Sequence, residues 1–164
     1  MDQALKDNPQ FKQGYLYAVR LLTASKKSSK ELTKRLKGKG YNEAVIQNIL
    51  EFLESQGILS DQKLVSDSVQ WAKQAKRYGK RKIYAQLKQK GLDSKTIEQA
   101  LGQYSKEEER ETALELAQNR WDKLSKIEPK KRKQRLYSYL IGRGFDFEVV
   151  REIIDQLSSK HENN

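Results

Sequence analysis

The chain of 164 residues carries 33 Lys and Arg against 22 Asp and Glu, a formal charge of +11, and it has one histidine and no cysteine. Without cysteine there are no disulfides and no thiolate metal sites, and the length is too short for two ordinary enzyme domains. The positive charge favours an anionic partner such as nucleic acid, an acidic protein face or an acidic membrane.

Apolar spacing and helix-capping signals predict nine helices and no strand, grouped in chain order as three units of three helices. The units are predicted at residues 13–57, 58–104 and 105–158, with tails at residues 1–12 and 159–164. Their first helices are predicted at about residues 13–24, 61–78 and 106–126. His161 falls in the polar C-terminal tail, where we expect it to be disordered.

Local signals mark where several of these helices begin and end. Two serine–glutamate pairs have capping-box spacing: Ser28 with Glu31, and Ser105 with Glu108. Pro129 suits the first turn of a helix, where its missing N–H is not needed. Gly57 and Gly79 are predicted to end the third helix of unit one and the first helix of unit two.

One segment occurs three times without a gap. It reads "LTKRLKGKGYNEAVIQNILEFL" from Leu32, "IYAQLKQKGLDSKTIEQALGQY" from Ile83 and "LYSYLIGRGFDFEVVREIIDQL" from Leu136. Successive copies start 51 and 53 residues apart. A period of this length predicts an array built from one supersecondary unit. The sequence therefore predicts an all-α protein of three tandem three-helix repeats forming an extended, curved array.

Three positions specify the turn inside each copy. A glycine is expected to end the helix in a left-handed conformation, an apolar residue to fold back on the last turn, and Asn or Asp to cap the next helix. The glycines are Gly40, Gly91 and Gly144, the apolar residues Tyr41, Leu92 and Phe145, and the caps Asn42, Asp93 and Asp146. Apolar residues three and four apart on either side predict one buried face per helix.

Charge is distributed unevenly between equivalent helices. Residues 30–40 hold five bases and one acid, residues 80–90 five and none, and residues 130–144 six and none, whereas the helices that follow are acidic. A helix-turn-helix that reads the DNA major groove would bring its acidic second helix towards phosphates, so this function is disfavoured. A solvated basic surface is the plain alternative, but recurrence in all three units favours a binding stripe for a long anionic surface.

Catalytic residue patterns are absent from the sequence. One histidine and no cysteine cannot form the usual metal site or triad, and no glycine-rich loop follows a strand, so neither a metal nor a cofactor is expected. A hydrolase that uses surface carboxylates is a third class, which nothing in the pattern favours.

Trp71 and Trp121 are predicted to pack in the core or between units, and Tyr78, beside several bases, to contact a partner. No segment is apolar for the roughly 18–20 residues that span a bilayer, so we predict a cytoplasmic protein without membrane contact.

Five stretches together resemble the RecX regulators of bacterial recombination. These are "SSKEL" followed by "LKGKGY", then "GILSDQKL", then "RYGKRKIYAQLKQKGL", and finally "YLIGRGFDFEVVREII". The resemblance implies three-helix repeats that bind the RecA filament on DNA along its helical groove and mostly inhibit its ATP hydrolysis, strand exchange and coprotease activities. It also implies direct DNA binding by some members. The chain departs from the family pattern at Ser25, where arginine is common, and at Lys80, where proline is common.

The central unit is the most basic, with ten bases against four acids over residues 61–105. The predicted contacts to the RecA filament or DNA are Arg77, Tyr78, Lys80, Arg81 and Lys82, then Lys130, Lys131, Arg132, Lys133 and Arg135, with Lys34 and Arg35. Reversing the charge at Arg77 and Arg81 is expected to weaken binding without unfolding the protein. Two hypotheses stay open: a monomeric, non-catalytic regulator of the RecA filament, and a general DNA-binding helical protein that affects recombination indirectly.

Overall fold

The structure is a computed structural model, and it describes the backbone of residues 8–162 and the side chains of residues 8–159. Within this part of the chain all regular structure is helical, with nine α-helices and one π-helical turn. The α-helices are α1 (Pro9–Ala24), α2 (Ser29–Gly38), α3 (Glu43–Ser55), α4 (Asp61–Trp71), α5 (Lys80–Gln89), α6 (Ser94–Gly102), α7 (Lys106–Lys123), α8 (Pro129–Gly142) and α9 (Phe147–Glu162). The predicted all-α fold of three tandem three-helix repeats is confirmed, as repeat 1 (α1–α3), repeat 2 (α4–α6) and repeat 3 (α7–α9). The expectations for residues 1–7 and for the side chain of His161 lie outside the described residues.

The helices belong to two compact units. The first compact unit contains the described residues up to Asp67 together with Leu87–Thr96. The second contains Ser68–Gln86 together with the described residues from Ile97 onward. Repeat 2 is therefore divided between the two units, although its sequence pattern is as continuous as that of the other repeats.

Each compact unit has its own apolar core. The first core includes Phe11, Ala18, Leu32, Leu36, Val45, Ile46, Ile49, Leu53 and Leu59. The second includes Ala113, Ala117, Trp121, Leu136, Leu140, Phe145, Val150, Ile153, Ile154 and Leu157. These residues recur every three or four positions, so each helix buries the face that the spacing predicted. Full burial of one such leucine stabilises the fold by about 1.5–3 kcal/mol.

The three repeated turns have the predicted conformation. The glycines are left-handed, with φ of 89° at Gly40, 75° at Gly91 and 86° at Gly144. In each turn the N–H of the following apolar residue bonds to the carbonyl four residues before the glycine, at 3.3 Å. The caps are also confirmed: side-chain oxygens of Asn42, Asp93 and Asp146 accept from Val45, Thr96 and Glu148 N–H groups at 2.9, 3.0 and 2.9 Å. Both predicted capping boxes form, as does the start of α8 at Pro129.

Several helix boundaries differ from the prediction. α1 begins at Pro9 rather than at residue 13, because Asn8 caps it by accepting from the N–H groups of Gln10 and Phe11. α7 ends at Lys123 instead of continuing to residue 126, and its C-cap is Leu124. α9 continues to Glu162, through the residues where the C-terminal tail was predicted to begin. Gly57 follows α3 with a φ of 67°, as predicted for a helix end.

The end of α4 corrects two predictions. α4 is α-helical only to Trp71, continues as a π-helical turn over Ala72–Lys76, and stops at Arg77, which is left-handed with a φ of 54°. Gly79 therefore does not end this helix. Trp71 was predicted to pack in the core or between units, but it is 55% exposed. The reason is that Val65, Val69 and Ala72 occupy the buried face of α4. Trp121 is 3% exposed, which confirms the packing predicted for it.

Candidate functional site

A basic groove lies on the first compact unit. It has a volume of about 1090 Å³ and is lined mainly by α2, by the end of α5 and by the turn after α5. Its charged lining residues are Lys27, Lys30, Lys34, Arg35, Lys37, Lys39, Lys88 and Lys90, with Glu31 as the one acid, and Tyr17 also contributes to the wall. Eight bases against one acid give the groove a strongly positive potential, which favours a phosphate-bearing ligand.

Two features of α2 build this groove. Leu32 and Leu36 are fully buried, so the bases between and beside them stand on the outer face of the helix. The Ser28 hydroxyl donates to the Lys90 carbonyl at 2.5 Å, and this bond holds the turn after α5 beside the start of α2. Lys88 and Lys90 therefore join the bases of α2 in one groove, although more than 50 residues of sequence separate Lys34 from Lys88.

The single acid of the groove is already used inside the fold. A Glu31 side-chain oxygen accepts the Ser28 N–H at 2.9 Å as part of the capping box. Lys37 pairs with Glu43 at 2.5 Å, and the Lys39 ammonium lies 5.6 Å from the centre of the Tyr17 ring. Among the described side chains, no ion pair involves Lys34 or Arg35, and both are exposed. Lys34 and Arg35 therefore present charges that no described ion pair neutralises.

The central cluster of predicted contact residues has a different position. In the second compact unit the start of α5 packs on the turn after α8. We call this contact the second junction, because it lies in the second compact unit. The Gly79 and Arg81 N–H groups donate to the carbonyls of Arg143 and Gly144, at 2.9 and 3.2 Å. Arg143 donates in turn to the Lys76 carbonyl at 2.6 Å. Gly79 is needed here because a Cβ would overlap the Gly144 carbonyl.

Basic side chains of the cluster strengthen the second junction. Lys82 donates to the Gly142 carbonyl at 3.0 Å, and its ammonium lies 4.5 Å from the Tyr78 ring centre. The Arg81 guanidinium lies 4.2 Å from the Phe147 ring centre, and Arg77 forms an ion pair with Glu115. Charge reversal at Arg77 and Arg81 would remove the ion pair with Glu115 and the contact with Phe147, so we expect some loss of stability. That the change weakens binding without unfolding the protein stays a prediction. A contact role for the cluster stays a prediction.

The third group of predicted contacts, in α8, is mixed. Arg132 donates through two nitrogens to the Trp121 carbonyl, at 2.7 and 3.1 Å, and its guanidinium lies 3.9 Å from the Trp121 ring centre. Arg132 therefore holds α8 against α7. Lys130, Lys131 and Arg135 are exposed, and Lys133 is half-buried. Sequence reasoning named Lys34 and Arg35 as contacts and counted the other bases of residues 30–40 and 80–90 in separate helices, but it could not bring Lys88 and Lys90 beside α2, because the Ser28 contact is not a local signal.

A buried carboxylate caps α5. The Glu109 side chain, on α7, accepts the Lys80 N–H at 2.8 Å, and the residue is 7% exposed. Burial raises the pKa of Glu109 above its ordinary value of 4.5, although the Lys80 hydrogen bond and charge oppose this shift. Asp61 makes the same contact in the first compact unit, where it accepts the Ser29 N–H at 2.8 Å. A carboxylate of the following repeat thus caps the second helix in repeats 1 and 2.

The raised pKa of Glu109 predicts a pH dependence of stability. Since the folded pKa lies above the unfolded one, the protonated carboxyl contributes stability that is fully present below the unfolded pKa and is lost as pH rises through the folded pKa. Glu109→Gln keeps an acceptor oxygen and removes the titration. We expect the unfolding free energy of the wild type, relative to that of Glu109→Gln, to fall as pH rises above the ordinary carboxyl pKa of 4.5. Guanidinium unfolding of both proteins at several pH values measures these free energies. A wild-type free energy of unfolding that rises with pH relative to that of Glu109→Gln would contradict the assignment.

The described residues contain neither a metal-binding cluster nor a membrane-spanning helix. No group of three or more His, Cys, Asp or Glu side chains is placed to hold a metal ion among them. None of the helices in this part of the chain is long and apolar enough to span a membrane.

Comparison with known proteins gives consistent matches along the chain. Models of the first, second and third three-helix domains of RecX match residues 15–53, 61–101 and 107–154. These ranges fall inside the three predicted units, whose outer limits stay predictions. A crystal structure of RecX from Lactobacillus salivarius superposes with a TM-score of 0.81 at 22% identity, covering 90% of this chain and 96% of that one. This likeness shows the shared fold.

Curated relatives named regulatory protein RecX are also similar. The protein of Chlorobium phaeobacteroides is 32% identical over 146 residues, covering 89% of this chain and 94% of its own. The Clostridioides difficile protein is 28% identical over 140 residues, and the match spans 66% of its length. For the Bacillus subtilis protein the match spans 58% of its length. Since three domain models match most of the chain and a relative is matched over nearly its whole length, the chain belongs to the RecX family.

Proposed function

We propose that this protein is a non-catalytic regulator that binds the RecA–DNA filament along its helical groove and inhibits RecA ATP hydrolysis, strand exchange and coprotease activity. The observation that carries the proposal is the basic groove, which suits the phosphates of a nucleoprotein filament. Membership of a family of regulatory proteins supports a role through binding, with RecA as the partner. The protein acts as a cytoplasmic monomer and needs no cofactor.

Phosphate contacts would come from the bases that the fold does not use. Lys34 and Arg35 line the groove, and Lys130, Lys131 and Arg135 are exposed on α8. Lys82, Arg132 and Arg143 hold helices together through carbonyl contacts. We infer that the first set contacts the filament and that the second keeps the repeats in register.

The second hypothesis, general DNA binding, is favoured by one observation. Eight bases in one groove would attract bare DNA as well as a filament. Such a protein would bind single-stranded DNA with similar affinity whether or not RecA is present. Its affinity would fall by about 0.7 log units per phosphate contact for each tenfold rise in salt.

A titration separates the two functions. Purified protein is added to RecA assembled with ATP on single-stranded DNA while ATP hydrolysis is followed, and binding to the same DNA without RecA is measured in parallel. We expect inhibition at concentrations about tenfold or more below those that occupy the bare DNA, because filament contacts add to phosphate contacts. Inhibition that follows bare-DNA occupancy would favour the second hypothesis. No inhibition at saturating protein would contradict the proposal.

A further inference from the structure

Two of the three repeated turns are docking sites for the start of another helix. In the first compact unit, the carbonyl before Gly91 accepts the Ser28 hydroxyl at 2.5 Å. In the second, the carbonyl before Gly144 accepts the Gly79 N–H at 2.9 Å. Ser28 and Gly79 are equivalent positions, since each lies twelve residues before the turn glycine of its own repeat. Each turn is thus covered by the start of the second helix of the preceding repeat.

The covered glycines are in close contact with the docked helix. A Cβ at Gly91 would overlap the Lys30 side chain, and a Cβ at Gly144 would overlap Lys82. Lys30 and Lys82 stand two and three residues after Ser28 and Gly79, in the first turns of α2 and α5. The absence of a side chain on the turn glycine therefore makes room for the first turn of the incoming helix.

The turn of repeat 1 has the same form but no such cover. Gly40 has a φ of 89°, and Tyr41 N–H bonds to the Leu36 carbonyl, as in the other two turns. Within the part of the chain that the structure describes, nothing lies within 4 Å of a Cβ built on Gly40. Lys37, Gly38, Lys39 and Gly40 are all exposed. The first repeat thus carries an uncovered copy of a surface that the molecule twice uses to hold a helix start.

The two occupied turns define the chemistry of the occupant. Each docked helix has a small residue at its start, Ser28 or Gly79, which donates a hydrogen bond to the turn carbonyl. In the first turn, the aliphatic stem of Lys30 covers Gly91, and the backbone nitrogen and Cβ of Lys82 cover Gly144. A helix of a partner protein that begins with serine or glycine, and whose first turn packs closely on the glycine, would reproduce these contacts.

The second helix of repeat 3 does not match this chemistry, which argues against a second copy of the chain. The residue twelve positions before Gly144 is Arg132, which lies inside α8 and is bound to Trp121. α8 begins earlier, at Pro129, and the residue before it, Glu128, is neither serine nor glycine.

We propose that the turn Gly38–Tyr41 is a docking site for the start of a helix from a protein partner. That this partner is a subunit of the RecA filament rests on the function proposed above. The site accepts a small first residue that donates to the Lys39 carbonyl, and a first helical turn that packs across Gly40.

A substitution at Gly40 tests the site against a matched control. Asparagine tolerates the left-handed conformation, and a Cβ on Gly40 or on Gly57 meets nothing within 4 Å. Gly40→Asn and Gly57→Asn therefore change the same kind of backbone position in the same compact unit, but only the first puts a side chain into the docking surface. We expect Gly40→Asn to need about tenfold more protein to inhibit RecA on single-stranded DNA, and Gly57→Asn to behave like the wild type. Equal inhibition by all three proteins would overturn the proposal.

A second measurement does not depend on RecA. A copy of residues 75–89, which contains Gly79 and α5, is joined through a glycine–serine linker in front of the full chain, so that its local concentration reaches the millimolar range. A linker of about 20 residues has an r.m.s. end-to-end distance of about 25 Å, which exceeds the length of the fused helix. We expect NMR shifts of the Lys39, Gly40 and Tyr41 amides on fusion, and their absence in the fused Gly40→Asn protein. If wild-type protein fails to inhibit RecA, the proposed function is wrong and this measurement alone decides the docking site. Unchanged amide shifts would overturn it.

Discussion

Gly144→Ala is expected to be among the most destabilising single substitutions in this chain. The left-handed backbone, with a φ of 86°, costs an L-residue about 1–2 kcal/mol. The new methyl group would also overlap the backbone nitrogen and the Cβ of Lys82, and forced repacking of this kind costs about 1–3 kcal/mol more. Since both sides of this contact are held by backbone hydrogen bonds, neither can move away without breaking them.

Gly40→Ala is the matched control for this prediction. Gly40 has nearly the same φ, 89°, but a Cβ there meets nothing within 4 Å among the described residues. We therefore expect Gly40→Ala to lower the free energy of unfolding by the conformational cost alone, about 1–2 kcal/mol. Guanidinium unfolding followed by circular dichroism at 222 nm measures both variants. Equal losses would mean that the second junction contributes nothing at this position.

Sequence reasoning was successful where the signals are local. The turn glycines, the apolar residues after them and the Asn or Asp caps act within one turn of helix, so each leaves its own mark in the sequence. The boundaries that were wrong depend on weaker marks. The cap at Asn8 was overlooked, and the end of α4 is a left-handed arginine, which no residue preference predicts.

The role of each basic residue could not be predicted in the same way. The sequence shows how many charges each helix carries. Contacts between distant segments decide which of these charged side chains bind inside the fold. Arg132 and Lys82 donate to carbonyl groups, whereas Lys34 and Arg35 line an open groove. All four are bases of a basic helix, so the sequence does not distinguish the two roles. Trp71 illustrates the same limit, since its exposure depends on which face of α4 the core selects.

The two kinds of basic residue have linked roles. Contacts such as Ser28 to Lys90 and Gly79 to Arg143 fix one repeat against the next within each compact unit. In the first compact unit this same contact places Lys88 and Lys90 beside α2 and so completes the basic groove. A change that loosens the Ser28–Lys90 contact is therefore expected to lower both the free energy of unfolding and the affinity for anions. A change on the outer face of α2 should lower the affinity alone.

The double substitution Lys34→Glu and Arg35→Glu tests this separation on the groove. Both side chains are exposed and line the groove, so the fold should tolerate the change. If each contacts one phosphate of single-stranded DNA, the plot of log affinity against log salt should become shallower by about 1.4. The affinity at 0.1 M salt should fall by about 10- to 30-fold, because each lost contact removes about 0.7 log units. Fluorescence anisotropy of a labelled oligonucleotide at several salt concentrations measures both quantities.

The control changes the net charge by the same amount outside the groove. Lys63→Glu and Lys95→Glu alter exposed residues of the same compact unit that do not line the groove. Long-range repulsion is screened beyond a Debye length of about 8 Å at physiological salt, so this variant should lose at most a few-fold in affinity and keep the wild-type salt slope. A loss as large in the control as in the groove variant would assign DNA affinity to net charge rather than to the groove. An unchanged slope in the groove variant would place the phosphate contacts elsewhere, with the exposed bases of α8 as the next residues to change.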